Sequence, residues 1–222
     1  MRRRRVEPER PEGDAMEMSA LALSIGYVAG VVGLVTNVPQ AVRVWRSHSD
    51  QGVNVTMWVL TFVSFCAWLG YGLRMGNYPI ILANIGVMTV VAVVLVAIAR
   101  TRQRNLIRDL LLIAVLVAVV VGLAFVVPVP IVVGYFVAAS AVPWLQVRTS
   151  SNTLRNGTPS YVSRATLSIR TLGMSLWLVH GLLVGDDAII VAISITLTAT
   201  ILTLVLETVS SRRRDQIQVQ AT

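Results

Sequence analysis

The sequence predicts an all-α membrane protein with seven transmembrane helices. Of its 222 residues 55% are hydrophobic, and the mean hydropathy is +0.71. Several apolar runs reach about twenty residues, the length that an α-helix needs to cross roughly 30 Å of hydrocarbon. Polar residues are confined to the two ends and to short segments between these runs. A soluble domain would need far more polar surface to cover its core.

A second observation is an internal repeat. The stretch 68–84 is similar to the stretch 177–193, which lies 109 residues further on, and eight of the seventeen positions are identical. Shared apolar composition does not readily place one Trp and two Gly in the same register. We therefore predict a duplication. The identical pairs are Trp68/Trp177, Leu69/Leu178, Gly72/Gly181, Leu73/Leu182, Gly76/Gly185, Ile80/Ile189, Ile81/Ile190 and Ala83/Ala192.

The apolar runs place the seven spans at roughly 20–43, 53–74, 78–99, 107–127, 130–147, 161–184 and 187–206. The first run is too long for a signal peptide and lacks a small-residue cleavage site. The fourth has no counterpart in either repeat, so one linker helix joins two parallel three-helix repeats. The predicted divisions are a disordered tail over 1–18, repeats over 19–100 and 129–208, a linker over 101–128 and a tail over 209–222.

Charge excludes several function classes. The formal charge is +8, but all nineteen cations are Arg and they lie mainly near helix ends, so they form no single basic face for a nucleic acid. Without Lys the chain cannot form a retinal Schiff base. No phosphate loop, metal-ligand cluster or catalytic constellation is found, so we expect no enzyme activity, metal or cofactor. Cys66 is alone and gives no disulfide framework.

Arginine asymmetry predicts the orientation in a cell membrane. One side holds eleven arginines in its loops and the C-terminal tail, whereas the other side holds Arg74 and the N-terminal tail, in which acids dilute the charge. Positive-inside logic then places the N-terminus outside and the C-terminus in the cytoplasm. The eleven are Arg43, Arg46, Arg100, Arg102, Arg104, Arg108, Arg148, Arg155, Arg212, Arg213 and Arg214.

The duplicated motifs resemble a known family. Pro39-Gln40 is followed by a basic loop, Gly52, Trp68 and Asn84, and in the second half Pro143 is followed by Arg148, Gly157 and Trp177. This pattern resembles the PQ-loop superfamily, and the arrangement of three, one and three helices resembles the SWEET sugar transporters within it. The resemblance covers about residues 20–206. Gln40 is matched by Trp144, and Asn84 by Ile193, with Ser194 as the nearest polar substitute.

The resemblance implies a central cavity lined by Trp68, Trp177 and Asn84. Ser64 and Gly173, four residues before each Trp, would be small enough to admit a ligand. Two alternatives stay open from the residues alone: Asn84 could form a bond between helices, and the two Trp could belong to the interfacial belt.

The resemblance also implies hinge or gate positions. Pro39, with Gln40, and Pro143 would let the helices bend between two access states, or they may simply mark helix ends. Val35 and Ala139, four residues before each Pro, would then face the pathway.

Three further polar sites lie in or beside spans. Arg170 is a charge within the sixth span, and it is interpreted as a gate residue, a counter-ion for an anionic solute, or a side chain that reaches the cytoplasmic interface. His180 takes the place of Tyr71 in the second half, as a neutral hydrogen-bonded group or a proton relay. Asp186 and Asp187 are expected to cap the seventh helix.

Together these features predict a SWEET-like facilitator. It would move a small neutral solute, with a mono- or disaccharide expected, down its gradient by alternating access. Its partners would be this solute and the lipid bilayer, while association into a homo-oligomer stays open. The alternatives are a PQ-loop transporter of an amino acid or another charged metabolite, and a membrane receptor or assembly factor that transports nothing.

Overall fold

The computed structural model describes residues 12–47, 55–102, 105–156 and 163–220, and these parts are helical, without a β-strand. Seven helices are long and apolar enough to cross a membrane, as the sequence predicts. The helices are α1 Glu12–Ser47, α2 Val55–Met75, α3 Tyr78–Thr101, α4 Leu106–Val126, α5 Val129–Ala139, α6 Pro143–Asn156, α7 Arg164–Val184 and α8 Asp187–Gln220.

The fifth span differs from its prediction because α5 and α6 divide it between them, over Val129–Asn156. The break lies at 140–142, one turn before Pro143. Proline has no N–H to donate, and its ring would clash with the carbonyl of residue 139 in a continuous helix. The chain instead forms tighter bonds across three residues, such as Val142 N–H to the Ala139 carbonyl at 3.1 Å.

The two helix triplets pack in the same order. In the first, α3 packs against both α1 and α2, and in the second, α8 packs against both α6 and α7. The third helix of each triplet is thus the central one. The linker α4 packs mainly against α2, while α1 packs against α7 and joins the two triplets. This arrangement supports the predicted division into two repeats.

The turns that end α2 and α7 match atom by atom. Gly76 and Gly185 have φ of 66° and 67°, a left-handed backbone that favours glycine. In each turn the next residue donates its N–H to the carbonyl of a glycine five positions earlier: Asn77 to Gly72 at 2.9 Å, and Asp186 to Gly181 at 3.0 Å. The sequence repeat is therefore also a repeat of local structure.

Both tails differ from their predicted boundaries. Helix α1 already begins at Glu12, within the predicted 1–18 tail, whereas 1–11 lie outside the described residues. Helix α8 continues to Gln220, beyond the predicted end of the repeat at 208. The residues after 208 include Arg, Gln and other residues that helices tolerate, and neither Gly nor Pro interrupts them.

Arg74 fixes the linker helix to the first triplet. Its Nη1 donates to the carbonyl oxygens of Ala124 at 2.9 Å and Val127 at 2.6 Å. The last carbonyls of a helix have no partner within it, so this guanidinium satisfies groups that would otherwise face hydrocarbon. The linker is therefore attached to the end of α2 from which the α2–α3 turn departs.

The matching close contacts at Gly72 and Gly181 give a stability prediction. A Cβ at either position would lie 2.8 Å from the Cγ2 of Ile80 or Ile189, and both isoleucines are buried. We expect Gly72→Ala and Gly181→Ala each to lower the free energy of unfolding by about 1–3 kcal/mol, because the packed isoleucine must move. Thermal unfolding in detergent measures this.

Gly122→Ala in α4 is the matched control, because no atom lies within 4 Å of its added Cβ. It should leave stability unchanged or raise it slightly, since alanine favours helices. Equal melting temperatures for all three variants would contradict the close packing of these turns.

Candidate functional site

A cavity of about 320 Å³ lies between five helices, α1, α2, α3, α7 and α8. Its volume is at the lower end of the range for small-molecule sites, which is about 300–1,000 Å³. The wall is mostly apolar, with a few polar groups, as such sites usually are. The lining residues are Gly30, Gly33, Thr36, Asn37, Thr61, Phe65, Trp68, Ile80, Ala83, Asn84, Val87, Arg170, Gly173, Met174, Trp177, Ile189 and Ile193.

The two triplets contribute equivalent positions to this wall. Ten of the lining residues form five pairs separated by 109 residues, so the sequence repeat meets itself across the cavity. Three pairs are identical or similar in character, and two differ in polarity. The pairs are Thr61/Arg170, Phe65/Met174, Trp68/Trp177, Ile80/Ile189 and Asn84/Ile193.

Asn84 presents an amide to the cavity from α3. The residue is 7% exposed, and its Nδ2 donates to the Ile80 carbonyl of its own helix at 2.7 Å. No bond from Asn84 to another helix occurs within the described ranges. A buried amide oxygen needs a donor, and a solute hydroxyl in the cavity can supply one.

The two tryptophans lie at the cavity and are each held by an aromatic neighbour. The Trp68 ring stacks on Phe136 of α5, with centroids 3.7 Å apart and planes 10° apart, and meets the edge of Tyr71. The Trp177 ring meets the edge of His180 at 5.5 Å. Fixed indoles offer flat apolar surfaces on which a sugar ring can pack.

One end of the cavity is closed by a reciprocal pair of hydrogen bonds between the triplets. Tyr71 Oη donates to Asp186 Oδ1 at 2.9 Å, and Asn77 Nδ2 lies 3.1 Å from His180 Nε2. A shift of 109 residues converts Tyr71 into His180 and Asn77 into Asp186. Each triplet therefore supplies both members of the other's pair, as in a two-fold symmetric interface. We call these four residues the closing cluster.

The bonds around the closing cluster assign the histidine tautomer. Asn77 Oδ1 accepts from the Ile80 N–H at 3.2 Å, so its amide group donates to His180 Nε2. His180 Nδ1 lies 2.8 Å from the Ala22 carbonyl and must therefore carry the proton. The ring is neutral and fully hydrogen-bonded. Asp186 also accepts from the Ile189 N–H at 3.1 Å, which caps α8.

Arg170 lies on the cavity wall away from the closing cluster. It precedes Trp177 by seven residues, which places it two helical turns, about 10 Å, along α7. Its guanidinium has no hydrogen-bond or salt-bridge partner within the described parts of the chain. Asn37 lines the same cavity from α1, with its Nδ2 bonded to the Gly33 carbonyl at 2.9 Å.

The structure brings five of the sequence-predicted residues together at the cavity: Trp68, Asn84, Trp177, Gly173 and Arg170. The others lie outside its wall. Ser64 and Ser194 are partly buried on α2 and α8, Val35 is 52% exposed on α1, and Ala139 and Pro143 flank the break in the fifth span. Helix α1 continues through Pro39 and Gln40, whose side chains lie outside the described ones.

Sequence reasoning missed several wall residues and the bonds of the closing cluster. Thr61, Phe65 and Met174 could have been found by applying the shift of 109 residues upstream of the two tryptophans. Phe136 and Asn37 carry no such signal, because they belong to the first helix of each triplet, where the halves share no simple register.

Comparison with known proteins places the chain in a family. Three curated relatives match it, each named as the sugar transporter SemiSWEET. That of Leptospira biflexa is 32% identical over 71 residues, which are 32% of this chain and 84% of the relative. That of Escherichia coli is 26% identical over 67 residues, 30% of this chain and 75% of the relative. That of Bradyrhizobium diazoefficiens is 29% identical over 72 residues, 32% and 84%. No family model and no solved structure gives a significant match.

Seven spans around a cavity, together with these relatives, define a multi-pass membrane transporter. The chain belongs to the SWEET-like family of sugar transporters, as its motifs indicate. The same comparison bears out the expectation that the protein is not an enzyme, since the relatives are named for transport. Each relative matches about a third of this chain but most of itself, so it is less than half as long.

The Tyr71–Asp186 bond gives a second prediction. Tyr71→Phe removes the hydroxyl donor from a carboxylate and keeps the ring, so we expect the free energy of unfolding to fall by about 1.5–3 kcal/mol. Thermal unfolding in detergent measures this. Tyr135→Phe is the control, because the Tyr135 hydroxyl has no hydrogen bond within the described residues. If the two variants unfold alike, this bond contributes little to the closed end.

Proposed function

We propose that the protein carries a sugar across the membrane down its gradient, by alternating access to the central cavity. The observation that carries this proposal is the cavity wall, where a fixed indole from each triplet and the amide of Asn84 converge. A sugar has apolar ring faces and a rim of hydroxyls. Indoles suit the faces and an amide suits the rim. The volume of about 320 Å³ favours a monosaccharide.

The closing cluster is proposed to be one of two gates. It ties the α2–α3 turn to α7 and α8 by side-chain hydrogen bonds. Toward the other end, α1 and α7 present Asn37 and Arg170 to the cavity, and the described residues there form no comparable set of bonds between the triplets. Breaking the closing cluster while forming contacts at the other end would exchange the accessible side.

The distribution of arginines supports an assignment of sides. If the eleven-arginine side is cytoplasmic, the α2–α3 and α7–α8 turns face outward and the closing cluster is the outer gate. The described conformation is then closed outside and faces inward. Downhill transport needs only that both closures be of similar stability, so that the solute can cross in either direction.

Substitutions at the cavity test sugar transport directly. We expect Trp68→Ala and Asn84→Ala each to reduce glucose uptake into proteoliposomes at least tenfold, because the ring platform or the hydroxyl acceptor is lost. Trp144→Ala is the control, because Trp144 is 40% exposed on α6 and outside the cavity. Unchanged uptake in both cavity variants would overturn the proposal, and binding without uptake would indicate a receptor.

Cysteine labelling tests the outer gate. Met174→Cys is placed at the cavity in a Cys66→Ser background, and an impermeant maleimide is added outside intact cells. We expect slow labelling, and about five- to tenfold faster labelling when Tyr71→Phe and Asn77→Ala remove two hydrogen bonds.

Tyr78→Cys is the orientation control, because Tyr78 is 65% exposed at the α2–α3 turn. It should label rapidly in either background. A control that reacts only in permeabilised cells would reverse the assigned orientation. A Met174→Cys rate that the gate substitutions leave unchanged would show that the closing cluster is no gate.

A further inference from the structure

The cavity carries a charge that sugar transport alone does not require. Within the described residues, Arg170 is the only charged side chain on the wall, and no carboxylate or histidine lines it. A guanidinium keeps its positive charge in proteins. The equivalent position in the first triplet holds the neutral Thr61, so the charge lies on one wall only.

Nothing in the described protein neutralises this charge. The acids of α8 are committed elsewhere: Asp186 accepts from Tyr71 at the closing cluster, and Glu207 accepts from Ser150 at 2.6 Å. A charge within a membrane span is costly unless it is paired or reaches water. Arg164, at the first turn of α7, lies where a side chain can reach the interface, whereas Arg170 lies a turn and a half deeper on the cavity wall.

The neighbouring residues leave room for a ring next to this charge. Gly173 lies between Arg170 and Trp177 on α7, and a Cβ there would come within 3.2 Å of Val32 Cγ1. Glycine therefore keeps the wall thin between the guanidinium and the indole. A hexose ring beside Trp177 and Asn84 would place a substituent toward Arg170, whose planar fork matches the two oxygens of a carboxylate or phosphate.

We infer that the preferred solute is a monosaccharide bearing one oxyanion group, and that Arg170 binds this group in the cavity while the indoles and Asn84 bind the ring. The inference rests on the proposed sugar transport and narrows its substrate class. A free oxyanion supplies the partner that Arg170 lacks, and a cationic solute is repelled. The expected neutral sugar then becomes a weaker substrate of the same site.

A competition assay in proteoliposomes tests the inference. Uptake of labelled glucose is measured against unlabelled glucose, glucuronate and glucose 6-phosphate, which separate the carboxylate from the phosphate. We expect at least one anionic sugar to compete at least tenfold better than glucose. Arg170→Gln should weaken that competition at least tenfold and change glucose self-competition less than about threefold. Arg164→Gln, outside the cavity, should change neither.

An exchange of positions guards against a variant that merely folds poorly. Thr61→Arg combined with Arg170→Thr moves the charge to the equivalent place on the facing wall. This double variant should recover anion preference relative to Arg170→Thr alone. Equal competition by glucose and both anions, or anion preference that survives Arg170→Gln, overturns the inference and leaves sugar transport standing. Absence of uptake for glucose and for both anions overturns the proposed function as well.

Discussion

Every polar group within the hydrocarbon must find a partner in the protein or in a water-filled cavity, and this constraint explains how the helices are connected. Most hydroxyls in the spans bond to a carbonyl four residues earlier in their own helix, as Thr36, Ser140 and Thr203 do. Such bonds satisfy the side chain without joining helices. Side-chain bonds between the triplets are concentrated in the closing cluster. Helices can therefore separate elsewhere without leaving buried donors unpaired.

The same constraint distinguishes the two kinds of intramembrane polar residue in this fold. His180 has both ring nitrogens bonded within the protein, at 2.8 and 3.1 Å, and is fully buried. Arg170 has no such partner in the described chain and lies at a cavity. A satisfied group holds helices together, whereas an unsatisfied one beside a cavity is available to a solute. Burial and bonding thus separate a structural residue from a binding residue, although both are polar residues on α7.

The membrane fold could be predicted from the sequence because its cause is local. A run of about twenty apolar residues is long enough to span the bilayer whatever surrounds it, and Pro143 interrupts a helix wherever it occurs. The places of Trp68, Trp177 and Asn84 at the cavity were predicted from a family pattern, and the structure brings these three residues together there. Their roles in transport remain predictions.

The closing cluster could not be predicted in the same way, because its bonds join residues about 100 positions apart. The shift of 109 residues relates Tyr71 to His180 as equivalents, yet the structure pairs Tyr71 with Asp186. Equivalence along the sequence states which residues have the same surroundings. Contact across a two-fold interface joins different positions, and which ones meet depends on the packing of α1 against α7.

A single chain with two triplets also permits what identical triplets would forbid. In an assembly of identical copies, every wall residue appears twice, so an arginine at the position of Thr61 would face a second arginine across the cavity. Two like charges in a low-dielectric chamber repel strongly. Here one copy of the position is Thr61 and the other is Arg170, and similarly Asn84 faces Ile193. The duplicated chain can therefore place one charge against one amide, and a solute with a charged end and a hydroxylated ring has a single favoured orientation between them.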